Sequence, residues 1–279
     1  MLTMTVTLPT IAILGTGSMG GAILSGLLAP EVVVEGGIRV TNRSVEKARA
    51  LESSSVTSLA TSTEPDANRI AVTGARIVLI GVKPAMVPDL LREVADSLEP
   101  DAIVVSVAAG VTIDTMESLV PGAVLRSMPN TPSVVGKGVT GLAAGTRSTE
   151  ADLSVVRALF ETVGDVLVIP ESQIDALSTI SGSGPAYVFF LIEQLTRTAI
   201  GLGFTPEQAA TMVEGTFVGS TALLASSDKT PTELRLQVTS PKGTTERAVA
   251  ELEAADLAAV FDRATAAALA RARELAAGN

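Results

Sequence analysis

The 279-residue sequence contains no cysteine and no histidine. Without cysteine there are no disulfides, no thiolate metal sites and no cysteine nucleophile. Without histidine the chain lacks the side chain that most often serves as a general base or a metal ligand. The sequence therefore predicts no metal site.

Basic residues are also scarce, because 20 lysines and arginines face 30 acidic residues and leave a net charge of −10. This balance argues against nucleic acid as a partner, since phosphate binding needs a basic surface. It does not exclude an anionic substrate, whose site would be built locally. No apolar run is long enough for a membrane span. Residues 1–14 lack the features of a signal peptide, so we expect a cytoplasmic protein with no membrane partner.

The first half of the chain alternates short apolar runs with amphipathic stretches, and a hydrophobic content of 47% indicates a globular protein. The runs are rich in valine and isoleucine, which is typical of parallel strands buried on both faces. The predicted strands are Ile11–Leu14, Ile38–Thr41, Ile77–Ile80, Ile103–Val107, Val124–Ser127, Val139–Ala143 and Val166–Ile169. The predicted helices are Gly20–Leu28, Val45–Leu51, Val87–Leu98, Ile113–Leu119 and Ala151–Val163. The last of these begins with a capping-box pattern at Thr149 and Asp152.

After Pro170 the pattern changes to alanine, leucine, glutamate and arginine at helical spacing. The predicted helices are Pro185–Gly201, Pro206–Ser226, Pro231–Gln237, Thr244–Ala254 and Leu257–Ala276. Several carry small and apolar residues over most of their circumference, so they need neighbours on more than one side. A monomeric bundle and an intertwined dimer satisfy this need equally well. The sequence thus predicts an α/β domain over residues 1–170 and an all-helical domain over residues 171–279.

A glycine-rich segment joins the first predicted strand to the first helix, with the sequence Gly15-Thr16-Gly17-Ser18-Met19-Gly20. In such a G-x-G-x-x-G pattern the first glycine permits a tight turn and the second lets the backbone approach a pyrophosphate. The third glycine allows close packing of helix and strand. The helix N-terminus then faces the phosphates. This context favours a dinucleotide site over ordinary turn glycines.

The end of the second predicted strand indicates which dinucleotide is bound. A site for NAD normally has an acidic residue there, which binds the ribose 2′-hydroxyl. This chain instead has Asn42, Arg43 and Ser44. Arg43 can pair with a 2′-phosphate, and Asn42 and Ser44 can donate hydrogen bonds. We therefore expect NADPH as the cofactor, with NADH used less efficiently; the alternative is that Arg43 is a solvated surface charge.

Two further turns follow strands of the same predicted sheet. Val82, Lys83 and Pro84 come after Ile77–Ile80, and Ala108-Ala109-Gly110 ends the next strand. Open α/β sheets bind ligands at the carboxyl ends of their strands. Both turns are therefore predicted to contact the cofactor, with the small residues leaving space for the nicotinamide ribose.

Three later segments are dense in turn-forming and hydroxyl residues: Arg126–Pro132, Ser181–Tyr187 and Ser240–Thr245. Each is explained structurally as a loop with a helix cap. Small hydroxyls and backbone amides also suit a small anion, above all in Ser240–Thr245. Beside a complete nucleotide site, they indicate a redox enzyme built from two parts.

In order along the chain, these motifs closely resemble those of the pyrroline-5-carboxylate reductase family, NAD(P)H-dependent enzymes that complete proline biosynthesis. The most specific matches are Ser181–Tyr187 and Ser240–Thr245, with Asp175 upstream. One departure is Lys242, which stands where the family commonly has a second glycine.

The resemblance implies a Rossmann-type N-terminal domain and an all-helical dimerisation and substrate domain that interleaves with that of a second copy. It also implies further assembly into decamers and a contact between Asn68 and the nucleotide. The implied reaction is reduction of the cyclic imine 1-pyrroline-5-carboxylate to L-proline. Residues Ser240, Gly243, Thr244 and Thr245 would bind the substrate, and the Thr245 hydroxyl, the expected catalytic group, would hydrogen-bond the ring nitrogen.

Two other functions fit part of the sequence. Dehydrogenases of the 3-hydroxyacid and 6-phosphogluconate type have a similar architecture, but they rely on a lysine in the long helix after the nucleotide domain. Neither Lys229 nor Lys242 falls in the predicted helix Pro185–Gly201. A scaffold that senses NADP would bind NADPH without turnover. The hydroxyl-rich loops argue against it, since structural caps need no such convergence.

Overall fold

The computed structural model describes residues 5–276, which contain an eight-stranded sheet and a separate two-stranded one. The strands are β1 (Val6–Leu8), β2 (Ile11–Leu14), β3 (Val32–Val34), β4 (Ile38–Asn42), β5 (Val56–Ala60), β6 (Ile77–Ile80), β7 (Ile103–Ser106), β8 (Ala123–Met128), β9 (Gly138–Ala144) and β10 (Gly164–Val168). The large sheet has the order β10-β9-β8-β7-β6-β2-β4-β5, and β1 pairs with β3. From β5 to β8 all neighbours are parallel; β9 is antiparallel to β8 and parallel to β10.

The helices of the described chain fall into two groups. Those up to residue 183 are α1 (Ser18–Leu27), α2 (Val45–Leu51), α3 (Ala67–Val72), α4 (Val87–Val94), α5 (Ile113–Glu117), α6 (Glu150–Glu161) and α7 (Ile174–Leu177). Those that follow are α8 (Gly184–Gly201), α9 (Pro206–Ala225), α10 (Pro231–Gln237), α11 (Thr244–Ala254) and α12 (Leu257–Ala276).

The predicted fold class is confirmed: six parallel strands in the Rossmann-type order are followed by helices. All the predicted strands and helices are present to within a few residues, and β2, β6 and α2 have the predicted bounds. The sequence did not indicate β1, β3, β5, α3 or α7. These elements are short, and β5 lies at the edge of the large sheet.

The sheet buries apolar side chains on both faces, as the continuous valine and isoleucine runs predict. Strands β2, β6 and β7 are buried at all their residues. Because side chains alternate along a strand, Ile11 and Ile13 join one apolar cluster with α1 and α6. Ala12 and Leu14 join the other, with α3, α4 and α5. The sheet is thus the middle of three layers.

The described chain forms two compact units. One comprises residues 5–183 together with 268–276, and the other comprises residues 184–267. The first contains both sheets, and the second contains α8 to α11 and the beginning of α12. The boundary after residue 170 stays a prediction. Within residues 5–276, no helix combines the length and the apolar character needed to cross a membrane.

A buried carboxylate ties the start of α6 to the sheet. The predicted capping box is confirmed: Asp152 N donates to Thr149 Oγ1 at 3.2 Å, and Thr149 N donates to Asp152 Oδ2 at 2.9 Å. Arg76, directly before β6, donates from Nη2 to Asp152 Oδ1 at 2.6 Å. Burial acts to raise the pKa of Asp152, but the hydrogen bonds from Thr149 and Arg76 outweigh it and leave the pKa below its usual value.

The substitution Asp152→Asn is expected to lower the free energy of unfolding by roughly 1.5–3 kcal/mol, because charge-assisted hydrogen bonds are lost. Since the folded-state pKa is lowered, the contribution of the carboxylate is complete above the unfolded pKa of about 3.9. It disappears as the pH falls through the lower folded value. Urea unfolding of both proteins between pH 7 and pH 2 measures this, and their difference should shrink at the acid end.

The matched control is Asp101→Asn. Asp101 Oδ2 lies 3.2 Å from the same guanidinium, at Arg76 Nε, but its side chain is 72% exposed. We expect a change below about 1 kcal/mol, as for other exposed ion pairs. Equal losses in the two variants would show that burial of Asp152 has no special effect.

Candidate nucleotide and substrate site

The carboxyl ends of the central strands meet where the strand order reverses, with β2 between β4 and β6. Backbone hydrogen bonds continue past the strands, from Gly15 N to Thr41 O at 3.1 Å and from Gly81 N to Leu14 O at 2.8 Å. The segments that follow β2, β4 and β6 therefore begin side by side. Open α/β sheets bind ligands in the crevice at such a point.

Three glycines let the backbone converge at this edge. Gly15 has a φ of +91°, in the left-handed region that glycine adopts at little cost. A Cβ atom on Gly20 would lie 2.5 Å from the Gly15 carbonyl oxygen, and a Cβ atom on Gly81 would overlap the same oxygen. Glycine is therefore required at both positions for the loop to fit against helix α1 and strand β6.

The first turn of α1 presents backbone amides without side-chain partners. Its N-cap is Gly17, which provides no capping side chain, and the turn contains no acidic residue. Gly17 and Ser18 are exposed, whereas Met19 is half-buried. Exposed N–H groups at the positive end of a helix dipole suit the oxygens of a phosphate.

The turn after β4 places the predicted ribose-binding residues in different environments. Asn42 is 5% exposed and its Oδ1 accepts a hydrogen bond from the buried Thr16 hydroxyl. Its Nδ2 is buried and has no hydrogen-bond partner within the described part of the chain. Ser44 is the N-cap of α2 and accepts a bond from Lys47 N at 3.3 Å. Arg43 is exposed, so its guanidinium is accessible to a ligand, whereas the enclosed Asn42 amide nitrogen lacks an acceptor.

A cleft of about 900 Å³ lies at the same edge, within the first unit. Lys83, Pro84 and Ala109 line it, so members of two predicted cofactor turns come together there. Val82 is half-buried beside them. Ala108 is buried, and its N–H donates to a serine hydroxyl at the end of β7.

Asn68, named on the basis of the family resemblance, lies in the first turn of α3 and is half-buried. Its Nδ2 donates to Glu93 Oε1 at 3.1 Å. A contact between Asn68 and a nucleotide stays a prediction.

Beside the cleft lies an ion cluster around the buried Arg126, which the sequence did not indicate. The side chain of Arg126 is 4% exposed; it donates from Nη2 to Asp175 Oδ1 at 2.5 Å and from Nη1 to Glu171 Oε1 at 3.3 Å. Glu171 Oε1 also accepts from Ile113 N at 2.7 Å. Arginine within a predicted buried strand was the available signal, because a buried guanidinium needs carboxylate partners. Arg126 and Asp175 both line the cleft.

The predicted substrate residues lie in the second unit, at the start of α11. Gly243 is the N-cap of this helix, and its N–H donates to Ser240 O at 3.0 Å, which closes the preceding turn. Thr244 and Thr245 form the first turn of the helix and are exposed. These residues present hydroxyls and backbone amides at a helix N-terminus, as predicted for an anion-binding segment.

Lys242 has a φ of +62°, a conformation that costs a residue with a Cβ roughly 1–2 kcal/mol and costs glycine little. The backbone N–H of Lys242 donates to Glu246 Oε2 at 2.8 Å, which helps to hold the conformation. The geometry thus gives a physical reason for a glycine at this position in related sequences.

The fold and the edge just described define an oxidoreductase of the kind that binds a nicotinamide dinucleotide. Residues 10–110 match the family described as NADP oxidoreductase, coenzyme F420-dependent, and residues 171–275 match pyrroline-5-carboxylate reductase dimerisation. The chain is 38% identical over 271 residues to the pyrroline-5-carboxylate reductase of Corynebacterium melassecola, covering 95% of this chain and 98% of that relative. It belongs to the pyrroline-5-carboxylate reductase family.

Solved structures agree with this assignment. A pyrroline-5-carboxylate reductase from Coxiella burnetii superposes with a TM-score of 0.86 at 35% identity and covers 95% of this chain and 97% of that one. A pyrroline carboxylate reductase from Plasmodium falciparum, solved with NADP bound, shares the fold with a TM-score of 0.80 at 24% identity, covering 96% and 98%. The family matches support a nicotinamide cofactor.

Two neighbouring glycines of α1 provide a test of the loop. Gly20→Ala is expected to destabilise the protein by roughly 1–3 kcal/mol, since the Gly15 carbonyl must move, and to weaken dinucleotide binding about ten-fold or more. A Cβ atom on Gly21 would meet nothing closer than Thr16 O at 4.0 Å. Gly21→Ala should therefore stabilise the helix by about 0.5–1 kcal/mol.

The measurements are urea unfolding and titration followed by NADPH fluorescence, which the tryptophan-free chain does not obscure. Similar stability and nucleotide affinity in the two variants would contradict the assigned role of Gly20.

Proposed function

We propose that the chain reduces the cyclic imine 1-pyrroline-5-carboxylate to L-proline in the cytoplasm, with NADPH as the preferred cofactor and NADH used less efficiently. The observation that carries the proposal is the convergence of the Gly15–Gly20 loop, the Asn42–Ser44 turn and the cleft at one edge of one sheet. The 38% identity to a curated reductase over almost the whole chain supports the choice of substrate.

The residues at this edge fit NADPH. The Gly15–Gly20 loop provides exposed amides for the pyrophosphate. The buried Asn42 Nδ2 needs an acceptor, which a ribose or phosphate oxygen would provide. Arg43 supplies a positive charge for a 2′-phosphate, and the Asn42–Ser44 turn contains no carboxylate that would favour a 2′-hydroxyl. When bound, NADPH supplies the hydride for the imine carbon.

The chain's own residues are proposed to bind and orient the reactants. Backbone amides and hydroxyls of Ser240, Gly243, Thr244 and Thr245 hold the substrate carboxylate, and the Thr245 hydroxyl bonds the ring nitrogen. A cyclic imine is easily protonated, so the reaction does not need a histidine as a strong acid. Holding ring and nicotinamide at reacting distance contributes on the order of several kcal/mol to lowering the barrier.

We further propose that the second unit forms a homodimer with interleaved helices, and that dimers assemble into a decamer as the family resemblance implies. Large apolar side chains on this unit are exposed in the single chain, including Phe189 at 66%, Leu202 at 75% and Val218 at 69%. Large exposed apolar patches on soluble proteins mark interaction surfaces. The match of residues 171–275 to a dimerisation family supports the dimer over the monomeric bundle.

Helix α8 bears on the alternative dehydrogenases, which rely on a lysine in the long helix after the nucleotide domain. Gly184–Gly201 contains no lysine.

The alternative of a nucleotide sensor is distinguished by turnover alone, since a sensor would bind NADPH without oxidising it. The decisive assay is oxidation of NADPH and of NADH with racemic 1-pyrroline-5-carboxylate.

Arg43→Ala is expected to raise KM for NADPH roughly ten-fold or more, because a charge-assisted contact with the 2′-phosphate is lost. KM for NADH, which lacks this phosphate, should change little. Steady-state kinetics with both cofactors provides the measurement. Arg49→Ala is the control, since it removes an equal charge from the exposed last turn of α2, the helix that follows Arg43. A parallel rise in the KM values for NADPH and NADH would mean that Arg43 does not bind the 2′-phosphate of NADPH.

Thr245→Ala is expected to lower kcat about ten-fold or more, since it removes the hydroxyl assigned to the ring nitrogen. NADPH affinity should stay nearly constant. Thr245→Ser keeps the hydroxyl and should restore most of the turnover. Unaltered kcat in the alanine variant would remove Thr245 from the mechanism.

A further inference from the structure

The loop after β8 contains a buried amide that the proposed chemistry does not use. Asn130 is 7% exposed. Its Nδ2 donates to Ser181 O at 2.9 Å, and its Oδ1 accepts from Val139 N at 2.8 Å. One side chain thus connects the backbone of a distant turn to the backbone of β9, and both connections lie within the first unit.

Ser181 belongs to a π-helical turn, Ser178–Gly182, which leads from α7 into α8. Such turns are rare and occur frequently at functional sites. Ser178, Thr179 and the following Ser183 all line the cleft at the carboxyl edge. The position of this turn therefore sets the position of three hydroxyl-bearing residues that line the cleft.

The hydroxyls of Ser178 and Thr179 are oriented by the turn itself. Ser178 Oγ donates to Asp175 O at 2.8 Å, and Thr179 Oγ1 donates to Ala176 O at 2.8 Å. Because each donates to the backbone three residues earlier, their oxygen lone pairs point in directions fixed by the local backbone. A displacement of the turn would move these acceptors together.

Two buried polar anchors hold the segment from Asp175 to Ser181. At its start, Arg126 binds the Asp175 carboxylate at 2.5 Å. At its end, Asn130 binds the Ser181 carbonyl. Asn130 lacks a charge and contacts only backbone in these two bonds, so its effect on the cleft is purely geometric.

We propose that Asn130 is a positioning residue for the reduction, which holds the π turn so that Ser178, Thr179 and Ser183 keep their places along the cleft. The inference rests on the proposed reductase function. The Ser181 bond includes no residue of the Gly15–Gly20 loop, and its loss lets the turn move. A misplacement of about 1 Å near reacting groups can lower turnover a hundred-fold.

The test is Asn130→Asp, which has nearly the same shape and keeps an acceptor for Val139 N, but faces Ser181 O with an oxygen instead of a donor. We expect kcat to fall roughly ten- to a hundred-fold, while the Kd for NADPH stays within about two-fold. Amide hydrogen exchange, followed by mass spectrometry without cofactor or substrate, should accelerate over residues 178–183 and remain unchanged in β2, β6 and β7.

The matched control is Ser148→Ala. Ser148 Oγ donates to Val124 O at 2.8 Å, at the opposite end of β8 from the cleft. Its removal also deletes one side chain–backbone hydrogen bond, and it should leave kcat and exchange over residues 178–183 unchanged.

An unchanged kcat in Asn130→Asp would overturn the proposal. Hydrogen exchange that accelerates equally throughout the sheet would also overturn it, because it would indicate that Asn130 has only a structural role. If the unaltered protein fails to oxidise NADPH with 1-pyrroline-5-carboxylate, it is the reductase function that fails, and the positioning role fails with it. Should Asn130→Asp not fold, Asn130→Ser, which is neutral and smaller, is measured in the same way.

Discussion

The site depends on one close approach of backbone around the carbonyl group of Gly15. A Cβ atom at Gly20 or at Gly81 would press against this oxygen, so two glycines from different elements are needed to surround it. Their contact brings helix α1 against the sheet and sets strand β6 beside the loop. The amide groups at the start of α1 and the cleft lined by Lys83 can lie at the same edge only because this packing is tight.

Helix N-termini explain how a chain with a net charge of −10 could offer sites for anions. Both candidate anion sites lie at helix N-termini with glycine as the N-cap, Gly17 for α1 and Gly243 for α11. Backbone amides and helix dipoles act over short distances and do not depend on the overall charge. Long-range electrostatics would repel a phosphate from this acidic surface, so affinity must come from local geometry and from few cations such as Arg43.

Burial determines which elements of the fold could be predicted from the sequence. Strands β2 and β6 are buried at every residue, and their uninterrupted apolar sequences predicted their bounds. Strand β5 lies at an edge, mixes polar and apolar residues, and was missed.

The Ser178–Gly182 turn has a sequence compatible with an ordinary helix or loop. Its π geometry accompanies a long-range bond from Asn130, 51 positions away in sequence to Ser181, which no local pattern reveals. The glycine loop was predictable because its requirement is local; the ion cluster around Arg126 was not, because its partners lie in other elements.

The absence of histidine gives these long-range polar contacts their importance. A reaction without a strong general acid depends on how accurately its groups are placed, and placement requires interactions with defined direction. Replacing a buried ion pair by apolar side chains often costs little or no stability, so stability is a weak reason for keeping Arg126 beneath the cleft. The Arg126 guanidinium is held by two carboxylates, and the Asn130 side-chain amide is hydrogen-bonded through both its oxygen and its nitrogen. Each set of bonds favours one orientation of its side chain. Apolar packing has no preferred direction, so it does not by itself fix the orientation of groups beside the cleft. The buried polar side chains of this chain supply that direction through their hydrogen bonds.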